Sequence, residues 1–389
     1  MSSLYIHIPF CEHKCIYCDF YSIAPAESAD QNEGLIRRFL DALRTEISLR
    51  SRDERFKVSY ETVFFGGGTP SLLPPSAIGG IVQTLASCFS IERDAEITLE
   101  ANPGTVDVEK LRALRAVGVN RLSIGIQSFH DDELQFLSRI HSSRQAKECV
   151  RDAYRAGFQN VSIDLIFALP SQTRDRWETN LGQAVELNPT HISCYSLIVE
   201  PNTPLFRMVE SNQVALLCVE QDAELYEHTI HFLRSHGYEQ YEVSNFAKRG
   251  FKSRHNSNYW NHSNYLGFGP SAHSFWSLAH AGGAPKRWWN IANVTAYAQR
   301  LEKGILPVAG EEELTTDQLI TEEVFLGLRG DGVDVAGFQK NYGRDLLAEH
   351  RQKVDALIND GMATVEDGKL RLTAKGYLVC DEISASFQM

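Results

Sequence analysis

Apolar residues recur along this chain with two alternating periods. Runs at residues 4–8, 62–65, 96–101, 121–127, 161–167 and 191–199 are short, rich in β-branched and aromatic residues, and read as strands. Between them the apolar positions return every three or four residues. Leu35, Ile36, Phe39, Leu40, Leu43 and Ile47 share one helical face, while Arg37, Arg38, Asp41 and Arg44 take the other. The same period recurs near 76–89, 107–117, 144–156, 174–187 and 219–235. Six strand–helix units in series predict an α/β fold in which residues 1–236 form a parallel sheet curling into a partial (β/α)6 barrel. In such a fold the chemistry gathers where the strands end.

Beyond Pro307 the pattern changes. Thr315–Leu328 and Leu346–Asn359 read as helices, followed by short strands at Ala363–Glu366 and Lys369–Leu372. Two helices and a two-stranded wing predict a winged-helix-like domain over 308–389. That fold often reads DNA, but residues 311–389 hold about twice as many acidic as basic side chains, the reverse of a phosphate-binding face. A cover or docking surface is the better expectation. Glu311, Glu312 and Glu313 read as a solvated run.

Composition narrows the class. The 389 residues are 43% hydrophobic and 23% charged, with a formal net charge of −12, which argues against a nucleic-acid surface. No apolar run approaches a membrane span, and the N-terminus lacks the basic-then-apolar pattern of a signal peptide. Cys88, Cys149, Cys194, Cys218 and Cys380 are scattered singly, which fits a reducing compartment, so a cytoplasmic protein is expected.

The other three cysteines carry the chemistry. Cys11, Cys15 and Cys18 lie on a loop delivered by the first strand, spaced Cys-x3-Cys-x2-Cys. A tetrahedral zinc wants four ligands, and His7, His13 or a distant cysteine could complete one. Three close thiols also suit a cubane iron–sulfur cluster whose fourth iron stays open to a small chelating molecule. Polar groups and glycines mark the strand ends that follow: Gly66, Gly67, Gly68, Thr69 and Pro70 after the second, Glu100 and Asn102 after the third, Gln127 and Ser128 after the fourth, and Asp164 within the fifth. One such carboxylate is usually a solvated rim residue. Polar side chains in three successive strands are harder to dismiss.

Residues 237–307 form a third region. Between Phe251 and Trp289 lie Trp260, Trp276, Trp288 and Trp289 of the chain's five tryptophans, with His255, His262, His273 and His280. Neutral imidazole is a normal axial ligand of haem iron, and flat aromatic surfaces suit a porphyrin face. Arg254, Lys286 or Arg287 could pair with propionates. The alternative is a long loop held down by its own aromatic cluster.

The chain resembles the radical S-adenosylmethionine proteins related to oxygen-independent coproporphyrinogen III oxidase, and within them the haem chaperones of HemW type. The likeness rests on residues 5–11 (Tyr-Ile-His-Ile-Pro-Phe-Cys), 65–70 (Phe-Gly-Gly-Gly-Thr-Pro), 121–127 (Arg-Leu-Ser-Ile-Gly-Ile-Gln), 164–170 (Asp-Leu-Ile-Phe-Ala-Leu-Pro) and 372–376 (Leu-Thr-Ala-Lys-Gly). It implies a radical-SAM barrel with a 4Fe–4S cluster on Cys11, Cys15 and Cys18. Tyr5, Tyr17, Gly67, Gly68, Thr69, Glu100, Gln127, Arg139 and Asp164 match positions that bind S-adenosylmethionine in the oxidase. Ile198 and His273 fall at two further oxidase contacts, where the residue types differ. Phe20 stands where the oxidase has a fourth cysteine, and the long N-terminal extension of the oxidase is missing. His255, Asn256, Tyr259 and Trp260 form the His-Asn-x-x-Tyr-Trp signature of the haem chaperones, which makes them the expected haem residues, with His262 and His273 as lesser candidates. The resemblance implies a protein that binds haem and S-adenosylmethionine, passes haem to acceptor proteins, and is open to homodimer formation. It implies a scaffold able in principle to cleave S-adenosylmethionine. The rival expectation is oxidative decarboxylation of coproporphyrinogen III.

Overall fold

The computed structural model describes residues 2–24, 29–278 and 283–387. Six parallel strands form its centre: β1 (Ser2–Ile8), β2 (Ser59–Gly67), β3 (Ser90–Ala101), β4 (Arg121–Gln127), β5 (Asn160–Phe167) and β6 (His191–Ser196). They lie side by side in chain order, as right-handed strand–helix crossovers dictate. Helices α1 (Ala29–Arg50), α2 (Pro75–Cys88), α3 (Val108–Ala116), α4 (Asp131–Phe136), α5 (Ser143–Arg155), α6 (Arg174–Glu186), α7 (Pro204–Glu210) and α8 (Val219–Ser235) return the chain between strands or follow the last one. Each expected strand and helix of this half is present. Phe39, Leu43 and Ile47 of α1 are fully buried against Leu4, Ile6 and Ile8 of β1 in one continuous core. Caps fix the helix starts: Ser142 and Gln145 form a reciprocal capping box on α5, and Thr173 accepts from the Arg176 amide on α6.

The barrel does not close on itself. Beyond β6 lie the short antiparallel strands β7 (Glu239–Gln240) and β8 (Asn245–Ala247). On the other side β1 pairs in parallel with β9 (Asn264–Phe268), and the sheet continues antiparallel through β10 (His273–Leu278), β11 (Gly283–Asn290) and β12 (Val308–Glu313). The aromatic segment is therefore an extension of the barrel sheet, which has twelve strands among the described residues. His280 lies outside the described residues.

The glutamate run expected to be solvated is the edge strand β12. Its carboxylates meet cations of β11, Lys286 to Glu313 at 2.9 Å and Arg287 to Glu312 at 2.6 Å. The run stays solvated as an edge strand, since Glu312 and Glu313 pair across to Arg287 and Lys286 without burial. The sheet thus runs to residue 313, inside the span expected of the C-terminal domain.

Two helices separate from that sequence carry the joints. Helix α9 (Arg254–Trp260) sits inside the barrel, and α10 (Val294–Glu302) packs on α1. Glu46 of α1 is fully buried and accepts from the Gly269 amide, the Asn290 side chain and the Tyr297 hydroxyl at 2.7–2.9 Å. That one carboxylate ties three separate parts of the extension to the barrel, beside the β1–β9 pairing.

A second core holds the C-terminal domain: α11 (Thr316–Arg329), α12 (Val335–Tyr342), α13 (Leu346–Glu349), α14 (Arg351–Asn359), and a three-stranded sheet of β13 (Val333–Asp334), β14 (Ala363–Glu366) and β15 (Lys369–Leu372). Helices α15 (Ala374–Tyr377) and α16 (Cys380–Ser386) finish the chain. The helix expected at 346–359 breaks at His350 into α13 and α14. The domain docks through Val243 N–H to the Arg329 carbonyl and through Glu322, which meets His262 at 3.0 Å and Arg287 at 3.1 Å. No helix among the described residues is long and apolar enough to cross a membrane.

Candidate functional site

At the C-terminal end of β1 the chain leaves the sheet at Pro9 and enters the cysteine loop. The loop is closed at its base, with Cys11 N–H on the Ile23 carbonyl at 3.0 Å and Ile23 N–H on the Pro9 carbonyl at 2.7 Å. His7 holds it from below. Its Nε2 donates to the Tyr21 carbonyl at 2.8 Å, which leaves Nδ1 to accept from the Tyr5 hydroxyl at 3.1 Å. Burial lowers its pKa to about 4, so the ring is neutral. With both nitrogens committed, His7 cannot complete a zinc site. Among the described residues no three His, Cys, Asp or Glu side chains converge on a single ion.

Two of the three thiols have side-chain donors. Thr69 Oγ1 reaches Cys11 Sγ and Arg139 Nη1 reaches Cys15 Sγ, each at 3.5 Å. Burial raises Cys18 to about 11, and the Cys15 and Cys11 sulfurs add to that. A loop that brings three thiols within Coulombic reach of one another and supplies donors to two suits a polynuclear iron centre, whose irons take one sulfur each, better than a single ion. Its positive charge would offset the repulsion among thiolates.

Around the loop the strand ends converge. Gly67 has φ +103°, and a Cβ there would fall 2.5 Å from the His7 ring; at Gly68 it would fall 2.6 Å from the Phe10 carbonyl oxygen. Only glycine lets β2 pass this close to the root of the cysteine loop. Gly68 N–H bonds the Ile8 carbonyl and Thr69 N–H the Phe10 carbonyl, locking the two segments together. Asn102 then bridges outward, donating to Thr69 Oγ1 at 3.0 Å and accepting from Arg139 Nη2 at 2.7 Å. The same Nη2 also donates to the Gly125 carbonyl at 2.7 Å. Arg139 Nε is buried without a partner, a donor available to an anionic ligand. Tyr17 lies close to Arg139 and Cys15, and burial raises its pKa. Gln127 ends β4 in the left-handed region at φ +69°, where β4 slips register against β5.

Two carboxyls face each other below this rim. Burial lifts Glu100 to about 8, and the Asp164 carboxylate adds to it; the Gly67 N–H and Arg121 oppose. Asp164 is also raised by burial, against hydrogen bonds from Ser193 and from Ser123 Oγ at 3.1 Å. Arg121, 2% exposed, is their buried counter-charge. Asn102 is expected only as a polar residue after the third strand, and Arg121, which opens β4, has no expected role in the site.

The histidine–tryptophan signature lies elsewhere. It is helix α9, and it closes the floor of the barrel. Asn258 Nδ2 bonds Ser3 of β1, His255 Nδ1 meets Thr62 of β2 at 2.7 Å, and Glu96 of β3 accepts from the amides of Arg254 and His255. His255 is 1% exposed, stacks on Phe64 at 4.8 Å, and meets the Tyr259 hydroxyl through Nε2 at 3.1 Å. Burial lowers its pKa to about 3. Five residues of β2 separate Thr62 from Gly67, about 16 Å along a strand, with Phe64 and Tyr5 stacked between. The expectation that His255 presents a nitrogen to iron is not met in this geometry, because both nitrogens are bonded inside the protein. Asn256 is half-buried in the same turn, Tyr259 packs edge-on to Tyr265, and Trp260 lies against Gly330 at the C-terminal domain. Arg254, Lys286 and Arg287, foreseen as propionate partners, each face carboxylates of this chain. His262 pairs with Glu322 at 3.0 Å, while His273 is exposed and stacks on Trp289. Ile198 and Phe20 are exposed, at 65% and 61%.

Comparison with known proteins agrees with this arrangement. The Radical SAM superfamily model matches residues 5–182 and the HemN C-terminal domain model matches 314–379. The chain is 36% identical to the protein named heme chaperone HemW of Bacillus subtilis, over 100% of this chain and 99% of that one. It is 34% identical to radical S-adenosyl methionine domain-containing protein 1, mitochondrial, of Bos taurus, over 99% of this chain and 87% of that one. Among solved structures, coproporphyrinogen III oxidase (HemN) from Escherichia coli aligns with a TM-score of 0.81 at 26% identity, covering 100% of this chain and 90% of that one. The superfamily implies a 4Fe–4S cluster and S-adenosylmethionine, and the gathered thiols and orphaned arginine nitrogen fit both. By full-length identity with these relatives, the chain belongs to the HemW family of radical S-adenosylmethionine proteins.

Proposed function

We propose that this protein binds haem in the cytoplasm and hands it to acceptor proteins, alone or as a homodimer. The observation that carries the reading is identity running end to end with proteins named as haem chaperones. Cys11, Cys15 and Cys18 hold the cluster. Tyr5, Tyr17, Gly67, Gly68, Thr69, Glu100, Gln127, Arg139 and Asp164 line the place for S-adenosylmethionine. In this assignment Arg139 Nε takes the methionyl carboxylate, the Gly67 segment and Glu100 face its ammonium, and Asp164 accepts from ribose hydroxyls. When bound and reduced, the cluster can supply one electron to the sulfonium.

His255, Asn256, Tyr259 and Trp260 serve the haem region from beneath. They fix the barrel floor and its joint with the C-terminal domain, while Tyr259 supports the aromatic wall through Tyr265. The experiment is a haem titration of the reconstituted protein with and without S-adenosylmethionine, beside anaerobic incubation with coproporphyrinogen III. Saturable haem binding without protoporphyrinogen is expected. Protoporphyrinogen formed over many turnovers overturns the reading in favour of the oxidase.

A further inference from the structure

Haem iron asks for an axial ligand with a free nitrogen, set beside flat apolar surface that the porphyrin can cover. Most histidines here already take part in the protein's own hydrogen bonding. His7 and His255 have both ring nitrogens bonded, as has His191, through Ser162 and Tyr241. His228 meets Arg174 and Glu178, while His130 and His141 on backbone carbonyls, His262 on Glu322, and His231 and His236 on carbonyls of their own helix α8 each keep one nitrogen over. Among the described residues, His13 and His273 are exposed with both ring nitrogens outside any hydrogen bond.

The sheet places these two differently. His13 lies within the cysteine loop, on the side facing Asp131, Arg139 and Gln145. His273 opens β10. Phe275 sits opposite Tyr265 of β9, which sets His273 opposite Gly267, and Gly267 pairs with Tyr5 of β1. Residues opposite one another in a sheet project from the same face. His273 therefore projects from the face that carries Tyr5, level with it and two strands away. Its direct partner on β11 is Trp289, and the two rings stack at 5.9 Å with 23° between planes. Tyr265 and Phe275 occupy the same face one step along.

Resting on the reading of the protein as a haem carrier, we propose that His273 is the axial ligand of the haem iron, with the ring lying along the aromatic face of the sheet extension. The Trp289 stack orients the imidazole and leaves a nitrogen to project. Desolvation of the ring against its neighbours and the nearby Arg287 lower the His273 pKa, which favours the neutral form needed for ligation. His255 then acts as a positioning residue.

The test is a titration of ferric haem into the full-length, cluster-reconstituted protein, followed by the Soret band, for wild type, His273→Ala and His13→Ala. Cluster absorbance in each variant checks that the fold is intact. Wild type and His13→Ala should give one histidine-ligated spectrum. His273→Ala should lose it, with affinity down by at least about tenfold, and added imidazole should bring it back. A His273→Ala protein that matches wild type in spectrum and affinity overturns the assignment while leaving haem binding standing. So does loss of the spectrum in His13→Ala alone. Wild type that fails to bind haem overturns the underlying reading and the ligand with it.

Discussion

The Thr62 hydroxyl lies 2.7 Å from Nδ1 of His255, joining the second strand of the barrel to a helix 193 residues later. Both groups are buried, so neither can turn to water when the other is removed. Thr62→Val keeps the shape and deletes the partner. It should cost about 1–3 kcal/mol, the usual penalty for a stranded buried polar group. Urea unfolding of the variant checks this, and an unchanged midpoint would show that the contact is idle.

Arg139 spreads one guanidinium over Cys15, Asn102 and the Gly125 carbonyl. A lysine has the charge but not the planar fork. Arg139→Lys should retain most of its iron and sulfide yet bind S-adenosylmethionine roughly 10- to 100-fold more weakly, as expected for losing charge-assisted hydrogen bonds. Calorimetric titration of the reconstituted variant gives the number. Wild-type affinity would remove Arg139 from the ligand site.

Glu100 predicts a pH effect with a definite sign. Its folded pKa is raised to about 8, against an ordinary value near 4.5. Between those values the unfolded chain has released the proton and the folded chain still holds it, so stability falls as pH rises through the window. Glu100→Gln abolishes that slope. The cluster-free variant should gain on wild type between pH 5 and pH 8, by on the order of a few kcal/mol. Parallel denaturation curves at the two pH values test it, and a gain that shrinks with rising pH contradicts the assignment.

Gly67 is the narrowest point of the site. A methyl group there meets the His7 ring at 2.5 Å on a backbone at φ +103°. Gly67→Ala should push His7 off Tyr21 and loosen the root of the cysteine loop. Reconstitution should then recover markedly less cluster iron per chain than wild type, while the far-UV spectrum stays the same. Equal iron content would mean that the loop does not depend on His7.

Much of this was legible in the sequence, for a local reason. The strands and helices of the barrel announce themselves by period, because a parallel sheet covered by helices needs apolar runs and one-faced helices. The strand-end residues were findable because such folds place chemistry there. The sheet extension was not. Strands β9 to β12 mix glycine, asparagine, histidine and glutamate, and what makes them strands is pairing with β1 and with each other. The position of His255 was hidden for the same reason. Its partners Thr62 and Glu96 are far away in the chain, and nothing local distinguishes a histidine that plugs a barrel from one that awaits iron.

The pairing of β1 with both β2 and β9 sets an order of assembly. The strand that carries the cysteines lacks one neighbour until residues 264–268 have been made, more than two thirds of the way along the polypeptide. Such long-range pairing is slow to form. During synthesis the thiols emerge early, beside a strand whose second edge stays open until that distant partner has been made.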